Sequence, residues 1–206
     1  MEINSLSLGL MGTMCYTIVS EKAAIVIDPG FVSSELVDFF LQNEDKERWI
    51  FITHAHFDHI GFADELREKT GAKIAVGKND APALKNPELN LAYAFRANLK
   101  PFSADKLLVD GEMFTVGDLV FEILATPGHT VGGVCFLIGD NLFSGDTLFY
   151  ESIGRDDFPG GNRAILTKSV KRLYELPEST VVYPGHNQPT TIAHEKKYNP
   201  FVRELL

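Results

Sequence analysis

Four potential metal ligands stand within six residues of one another: His54, His56, Asp58 and His59. The apolar run at residues 49–52 precedes them and predicts a short buried strand. Because side chains at positions i and i+2 of an extended chain point to one side, His54 and His56 converge on one point. Asp58 and His59 follow where the chain turns towards a predicted helix, so they face a second point nearby. Imidazole nitrogen and carboxylate oxygen are ligands that zinc, iron and manganese accept.

Three further residues of ligand type follow predicted strands elsewhere in the chain: His129, Asp146 and His186. Each is preceded by a glycine, which permits a close backbone approach and a sharp turn. Folds that alternate strands and helices place their functional side chains at the carboxyl ends of strands. Five of the six histidines therefore stand at strand ends, and His194, in a charged helical segment, is the exception. Scattered structural histidines do not explain this pattern.

The ligand-type residues divide into two groups that suit a pair of metal ions. The first group provides three imidazoles, from His54, His56 and His129. The second group consists of Asp58, His59 and His186. Asp146 is expected to bridge the two ions, which in such paired sites lie about 3.5–4 Å apart. We expect two divalent ions, zinc in first place and iron or manganese as alternatives.

Patterns of strand and helix on both sides of the cluster indicate how these residues are positioned. Strands are predicted over residues 3–8, 14–19, 23–27, 49–52 and 73–77, and again over 113–116, 119–125, 134–138, 141–144 and 181–183. Helices are predicted from Ser33 or Ser34 to 42, over 62–70 and 162–175, and before Leu206. We therefore predict an α/β fold, a four-layer αββα sandwich with two sheets face to face, in a single domain over 1–206.

The segment 79–106 is less regular, because Pro82, Pro87 and Pro101 interrupt it. Its apolar residues predict that it packs against the rest of the protein as a short helix and a long covering loop. Long loops of this kind often serve function. The segment is therefore a candidate wall of the site.

Composition narrows the class of partner and the location. The formal net charge of −9 argues against a nucleic-acid backbone as the main partner. No apolar run approaches the about 18 residues of a membrane span, and no secretory signal is visible, so we expect a cytoplasmic protein and take a monomer as the default. Cys15 and Cys135 lie in apolar runs, where packing is the expected role.

The order of the motifs resembles the metallo-β-lactamase superfamily: His-x-His-x-Asp-His at 54–59, Pro-Gly-His at 127–129, Gly-Asp-Thr at 145–147 and Pro-Gly-His at 184–186. The resemblance covers nearly the whole chain and implies the fold of that superfamily. Finer matches are similar to short glyoxalase II-like hydrolases, at residues 27–30, 144–149, 154–161, 190–192 and 199–201. This resemblance implies a binuclear zinc, or mixed zinc and iron, thioesterase. Asp28 would support the metal cluster there from outside the ligand set.

A hydrolytic mechanism fits this set of residues. Two divalent ions would lower the pKa of a bridging water, and Asp58 would orient the resulting hydroxide and accept its proton. The metals would stabilise the oxyanion that forms when the hydroxide attacks the carbonyl of a small-molecule thioester such as S-lactoylglutathione. Tyr150, Arg155 and Asn187 lie near ligand positions in sequence and are candidates either for substrate contact or for loop structure. Arg155 has the further alternative of pairing with a neighbouring aspartate, Asp156 or Asp157.

Two other functions remain open. A sulfur dioxygenase acting on glutathione persulfide is similar in sequence, including the Gly-Arg-x-Asp-Phe run at 154–158, and uses one iron ion held by the equivalents of His54 or His56, His129 and Asp146. The Pro-Gly-Gly at 159–161 favours the hydrolase. A non-catalytic metal-binding module is the second alternative.

The chain departs from full-length glyoxalase II after His186. Those enzymes carry a C-terminal helical domain whose basic residues hold glutathione, whereas this sequence continues for only 20 residues. Lys196, Lys197 and Arg203 are candidates to substitute for those basic residues, or else are solvated helix charges. We therefore expect a thioester substrate, and not S-lactoylglutathione in particular.

Overall fold

The first of two six-stranded sheets is built by the amino-terminal half of the chain. The computed structural model describes residues 1–201. The strands of this sheet are β1 (Glu2–Leu8), β2 (Thr13–Val19), β3 (Ala23–Ile27), β4 (Glu47–Ile52), β5 (Lys73–Gly77) and β6 (Lys106–Leu108), and they lie side by side in that order. The first three form an antiparallel meander, as predicted, whereas β3 to β6 are parallel.

The second sheet is built by the carboxyl-terminal half. Its first four strands are β7 (Met113–Val116), β8 (Leu119–Ala125), β9 (Val134–Ile138) and β10 (Asn141–Gly145). A small hairpin of β11 (Leu148–Phe149) and β12 (Ser152–Ile153) follows, and then β13 (Val181–Pro184) and β14 (Thr190–Thr191) complete the sheet in the order β14-β13-β10-β9-β8-β7. Strands β10 and β13 pair in parallel, and the other neighbours are antiparallel.

Helices connect the strands and cover the outer faces. They are α1 (Ser34–Leu41), α2 (Phe57–Ile60), α3 (Ala63–Thr70), α4 (Ala92–Phe95), α5 (Arg163–Leu173) and α6 (Ile192–Tyr198), with a 3₁₀ turn at Ala81–Lys85. The Asn162 side chain caps α5 by accepting a hydrogen bond from the backbone N–H of Ile165. Gly71 ends α3 in the left-handed conformation, with a φ of 71°. None of the helices in residues 1–201 is long and apolar enough to cross a membrane.

Three hydrophobic layers hold the sheets and helices together. Between the sheets, Phe51 of β4 lies against Phe121 and Phe136, with ring centroids 5.0 and 4.8 Å apart. On the outer face of the first sheet, α1 and α3 bury Leu36, Phe40 and Leu66. On the outer face of the second sheet, α5 buries Leu166, Val170 and Leu173. The order of layers is helix, sheet, sheet, helix, which confirms the predicted αββα sandwich.

The main strands and helices lie where the sequence predicts them, and the differences concern short elements. Strands β6, β11, β12 and β14 were not predicted, because two or three residues are too few to show an alternating pattern. Segment 79–106 contains the 3₁₀ turn and α4 joined by loop, as expected. Cys15 and Cys135 are buried free thiols. Any helix beyond α6, and Arg203, fall outside the described residues.

Candidate metal centre

All seven ligand-type residues lie beyond the carboxyl ends of non-edge strands of the two sheets. His54 and His56 follow β4, and Asp58 and His59 lie on α2, the short helix that starts at Phe57. The remaining three follow strands of the second sheet: His129 follows β8, Asp146 follows β10 and His186 follows β13. Because the two sheets pack face to face, these loops meet at one edge of the sandwich. The structure therefore brings together residues that are up to 132 positions apart in sequence (54 to 186).

The first predicted group, of three imidazoles, points its nitrogens at one position. Nδ1 of His56 lies 3.1 Å from Nε2 of His54 and 3.0 Å from Nε2 of His129. Ligand atoms 2.0–2.1 Å from a tetrahedral zinc ion lie roughly 3.3 Å from one another. The spacing of these three nitrogens therefore suits one divalent ion.

The second predicted group lies beside the first. Oδ2 of Asp58 is 3.4 Å from Nε2 of His186 and 3.7 Å from Nε2 of His59. These three side chains form a second set of atoms close enough to hold one ion. Asp28 also lies near, but both of its oxygens face hydrogen-bond donors of the protein, so it supports the cluster rather than joining it.

Asp146 stands between the two groups. One of its oxygens, Oδ1, is 3.4 Å from Nε2 of His59. The other, Oδ2, is 3.5 Å from Nε2 of His129 and 3.6 Å from Nε2 of His186. The carboxylate thus approaches an imidazole of each group, which is the placement expected of a bridging ligand.

Buried polar atoms without partners show that the cluster suits a cation. Within the described residues, Nε2 of His59 and Oδ1 of Asp146 are buried and make no hydrogen bond, although they face each other. A buried polar atom normally has a partner, because leaving it unpaired is costly. Divalent ions would satisfy both atoms, and nitrogen and carboxylate oxygen are the donors that zinc, iron and manganese take.

Hydrogen bonds from outside the ligand set fix the orientation of three imidazoles. Asp28 accepts from Nδ1 of His59 at 2.9 Å and from the Thr53 hydroxyl at 2.5 Å. The Thr53 oxygen in turn lies 3.2 Å from Nδ1 of His54, and the carbonyl oxygen of Arg155 accepts from Nδ1 of His129 at 2.7 Å. With Nδ1 protonated in each ring, Nε2 keeps its lone pair towards the cluster. The placement of Asp28 agrees with the role that the family resemblance implies.

Asp80 is a supporting residue that the sequence reading missed. It is buried, and its carboxylate accepts hydrogen bonds from the backbone N–H of Ala55 at 3.0 Å, the Thr130 hydroxyl at 2.8 Å and the backbone N–H of Gly132 at 2.6 Å. It therefore ties the loop after β4 to the loop after β8. Its position just beyond the end of β5 was the signal that could have found it.

Burial keeps two imidazoles of the first group neutral. Burial lowers the pKa of His54 well below its ordinary value, and the neighbouring His59 and His56 lower it further. Burial also lowers the pKa of His56 to about 2, with His129 and His59 adding to the effect. Neutral imidazole is the form that binds a metal ion, so these rings need no deprotonation to act as ligands.

The second group has the opposite electrostatics. Burial acts to lower the pKa of His59, but Asp58, Asp146 and Asp28 outweigh it and raise that pKa to about 10. Burial opposes the charge of Asp58, yet His59 and a hydrogen bond with His186 hold the pKa of Asp58 well below its ordinary value. Three carboxylates around one buried ring attract a positive charge. Without metal the proton on His59 supplies it, and a divalent ion can replace that proton.

The glycine before His186 allows the groups to approach each other. A Cβ atom at Gly185 would collide with the carboxylate of Asp146 and lie 2.8 Å from Cε1 of His59. Gly145, before Asp146, has a φ of 49°, where other residues are strained. The predicted need for glycine at these two positions is therefore confirmed.

A cavity of about 340 Å³ opens above the cluster, and apolar side chains form most of its wall. They come from α2 and the 79–106 segment (Phe57, Leu91, Phe95) and from the 149–158 region (Phe149, Ile153, Phe158), with Met11 at one side. The expectation that 79–106 provides a wall of the site is confirmed.

The three predicted substrate-contact residues occupy different surroundings. Arg155 lines the cavity, and its guanidinium donates to both carboxylate oxygens of Asp157 at 2.7 Å. Tyr150 does not line the cavity and stacks instead on His194, with ring centroids 4.8 Å apart. Asn187 does not line it either and has a φ of 67°. Its contact with substrate, like that of Tyr150, stays a prediction. His194, which the sequence reading excluded from the cluster, lies outside it and pairs with Glu151 at 3.0 Å.

Comparisons with known proteins agree on the family to which the chain is similar. A family model described as Metallo-beta-lactamase superfamily matches residues 8–186. The chain is 34% identical to a protein of Bacillus subtilis named probable metallo-hydrolase YqgX, over 98% of each chain. It is also 34% identical to Glyoxylase B2 of Dictyostelium discoideum, over 84% of this chain and 63% of that protein.

Solved structures agree with the sequence comparison. The crystal structure of BLEG-1 B3 metallo-beta-lactamase is similar with a TM-score of 0.89 and 35% identity, over 98% of this chain and 99% of that one. TTHA1623 in a di-iron-bound form is similar with a TM-score of 0.85 and 33% identity, over 96% and 99%. ETHE1 from Myxococcus xanthus has a TM-score of 0.78 and 36% identity, over 97% and 84%. The chain belongs to the metallo-beta-lactamase superfamily.

Proposed function

We propose that this protein is a metal-dependent hydrolase that cleaves thioesters at a pair of divalent ions, zinc in first place. The observation that carries the proposal is the Asp146 carboxylate, which lies within 3.4–3.6 Å of imidazoles from both groups. A carboxylate in that place favours two ions that act together over one ion at a single group. The relatives named metallo-hydrolase and Glyoxylase B2 support a metal-dependent hydrolase.

Asp58 has the surroundings of a group that orients an attacking water. It accepts a hydrogen bond from the Thr13 hydroxyl at 3.2 Å and lies beside His186 and His59. Because its pKa is held well below its ordinary value, it is ionised at neutral pH and can accept a hydrogen bond from that water. Divalent ions held by these two groups would supply a water of lowered pKa and positive charge for the oxyanion.

The leaving group of a thioester suits the residues around the cavity. Apart from the ligand-type residues, the described side chains that line the cavity include no aspartate, glutamate or lysine that could donate a proton. A thiolate leaves without protonation far more readily than an alkoxide or an amide nitrogen does. A thioester is therefore the substrate class that suits this site, because its cleavage does not require a general acid.

The test is hydrolysis of a panel of thioesters, esters and β-lactams by protein loaded with zinc or with iron. Asp146→Ala with metal re-supplied is the critical variant, and Asp140→Ala, at an exposed aspartate of the turn after β9, is the matched control. We expect thioester turnover by the parent protein and by the control, and a loss of at least about 100-fold in Asp146→Ala. Undiminished turnover in Asp146→Ala would refute the paired-metal scheme.

The same panel separates the alternatives. A di-iron form is named for TTHA1623, so metal content must be measured beside activity. Iron-loaded protein that consumes oxygen with glutathione persulfide, and hydrolyses nothing, would replace the hydrolase proposal with a dioxygenase. Protein that holds both ions and acts on no member of either set would indicate a non-catalytic metal-binding module.

A further inference from the structure

We infer that the site selects thioesters whose acyl and thiol parts are apolar and uncharged, in preference to thioesters of glutathione. This inference rests on the proposed thioester hydrolysis and specifies its substrate class. It follows from three features of the cavity: an aromatic wall, a mouth of exposed apolar side chains, and the pairing of Arg155 with Asp157.

The aromatic wall is a connected set of three rings. Phe57 and Phe95 stack with centroids 4.9 Å apart and planes at 26°. The Phe158 ring packs edge-to-face with Phe95, with centroids 6.4 Å apart, and with His56, with centroids 5.8 Å apart. The wall therefore begins at a ring of the metal cluster and extends outwards. An apolar group attached to a carbonyl at the cluster would lie along it.

The mouth of the cavity exposes apolar surface to solvent. Phe95 is 44% exposed and Met11 is 46% exposed, although both line the cavity. Leu10, next to Met11 in the turn between β1 and β2, is fully exposed. Contiguous exposed apolar surface around a concave site is a mark of ligand binding, because only a ligand removes it from water.

The backbone holds this wall in place. Leu91 and Arg96, on either side of α4, have φ values of 65° and 55°, a conformation that residues other than glycine rarely adopt. The side-chain oxygen of Asn90 accepts a hydrogen bond from the backbone N–H of Ala92 at 3.0 Å, and the backbone carbonyl oxygen of Asn90 accepts one from the backbone N–H of Phe57 at 2.8 Å. These bonds connect α4 to α2. They hold the backbone of Leu91 and Phe95 so that both side chains face the cavity.

The charges around the cavity do not suit the carboxylates of glutathione. Arg155 is the one lysine or arginine among the described lining residues. Its Nε and Nη2 each donate a hydrogen bond to the Asp157 carboxylate, and its guanidinium carbon lies 3.8 Å from the centre of the Phe158 ring. Glutathione carries two carboxylates and one ammonium group, and each carboxylate needs a cationic or donor partner when water is removed. Arg155 is the cationic partner that this cavity offers, and it is already paired with Asp157.

The experiment compares zinc-loaded protein on three thioesters with the same hexanoyl group. The thiols are glutathione, glutathione with both carboxyls esterified and its amine acetylated, and N-acetylcysteamine. We expect kcat/KM at least ten-fold higher for the two neutral thiols than for glutathione. Along an acyl series from acetyl to hexanoyl on N-acetylcysteamine, kcat/KM should rise by up to about four-fold per methylene until the cavity is filled.

Variants test the wall and the ion pair separately. Phe95→Ala should flatten the acyl series, whereas Tyr93→Ala, at a 77% exposed position on the same helix and outside the cavity lining, should leave it unchanged. Asp157→Asn should release Arg155 and raise kcat/KM for the glutathione thioester several-fold relative to its neutral form.

The outcomes distinguish this inference from the proposal beneath it. Higher activity on the glutathione thioester than on its neutral form, or an acyl series that stays flat in the parent protein, would overturn the preference while thioester hydrolysis stood. An acyl series of the same slope in Phe95→Ala would overturn the role of the aromatic wall. No hydrolysis of any of these thioesters would overturn the proposed function itself, and the inference with it.

Discussion

Replacing Asp28 by asparagine isolates the support of the second metal group from the ligands themselves. Asp28 accepts three hydrogen bonds, from the backbone N–H and the hydroxyl of Thr53 and from Nδ1 of His59. An asparagine side chain of the same shape has one oxygen and one NH₂ group. Whichever way it is oriented, the NH₂ faces either the Thr53 N–H or the His59 ring, so one donor meets another donor.

The size of the effect follows from that clash. A buried hydrogen bond to a charged group contributes about 1.5–3 kcal/mol, and here one such bond is lost. If the NH₂ faces His59, the ring must carry its proton on Nε2, where it cannot bind metal. Replacing residues that orient metal ligands typically weakens metal binding 10- to 100-fold, or about 1.4–2.7 kcal/mol, which agrees with the loss of one bond.

The assay is chelator competition with zinc on Asp28→Asn, beside Asp45→Asn at an exposed position with the same change of charge. We expect the variant to lose affinity at one of two sites, by 10- to 100-fold, while the site of His54, His56 and His129 loses less. Two sites of parental affinity in Asp28→Asn would refute the reasoning, because the loss of the Asp28 charge and of part of its hydrogen bonding would then leave the second group unaffected.

Three further predictions concern stability and protons. Asp80→Ala should lower the free energy of unfolding by about 2–4 kcal/mol in urea, because three buried donors lose a carboxylate. Asp45→Ala is the matched control, and an equal effect of both would contradict the role of Asp80. In metal-free protein, the raised pKa of His59 means that folding gains stability from its proton, fully below pH 6.5 and less as the pH rises towards about 10. Urea unfolding in chelator should therefore show lower stability at pH 8.5 than at pH 7, and unchanged stability between those pH values would contradict this. Phe51→Ala should cost about 3–5 kcal/mol, because the ring is fully buried between the sheets. A loss below about 1 kcal/mol in thermal or urea unfolding would show that the inter-sheet core repacks around the deletion.

The ligand cluster and the layers of the fold could be predicted from sequence for a physical reason. A metal site needs uncommon residue types, and strand ends in an α/β fold provide the places for them. His54 and His56 also reveal their common direction by alternation alone. The long strands show clear alternation or apolar runs, so the two sheets and the order of the layers could be predicted from those patterns.

The walls of the cavity could not be predicted, because Phe57, Phe95 and Phe158 do not differ in type from core residues. Only the fold shows that they surround a space rather than fill it. The support from Asp80 depends on contacts with chain segments 25 and 50 positions away, at Ala55 and Thr130. The position of Asp80 just beyond β5 marks it as a candidate, but the sequence does not show which segments it contacts.

Closeness in sequence to a ligand does not by itself place a side chain in the wall of the cavity. Tyr150 follows Asp146 by only four residues, yet the β11–β12 hairpin turns its ring to His194. The conformation of the short hairpin decides where the Tyr150 side chain points. Strands of two residues carry too little sequence pattern to reveal that conformation. The 190–192 and 199–201 runs are joined through Glu195, which accepts from the Thr190 hydroxyl at 2.6 Å and from the side-chain amide of Asn199 at 2.8 Å.

The most direct test of a paired metal centre is anomalous diffraction from crystals of the zinc-loaded protein. The structure predicts two zinc peaks per chain, about 3.5–4 Å apart, with the carboxylate of Asp146 between them. One peak should lie among the imidazoles of the first group, and the other among the side chains of the second. A single peak at full metal saturation, or peaks away from Asp146, would contradict the account.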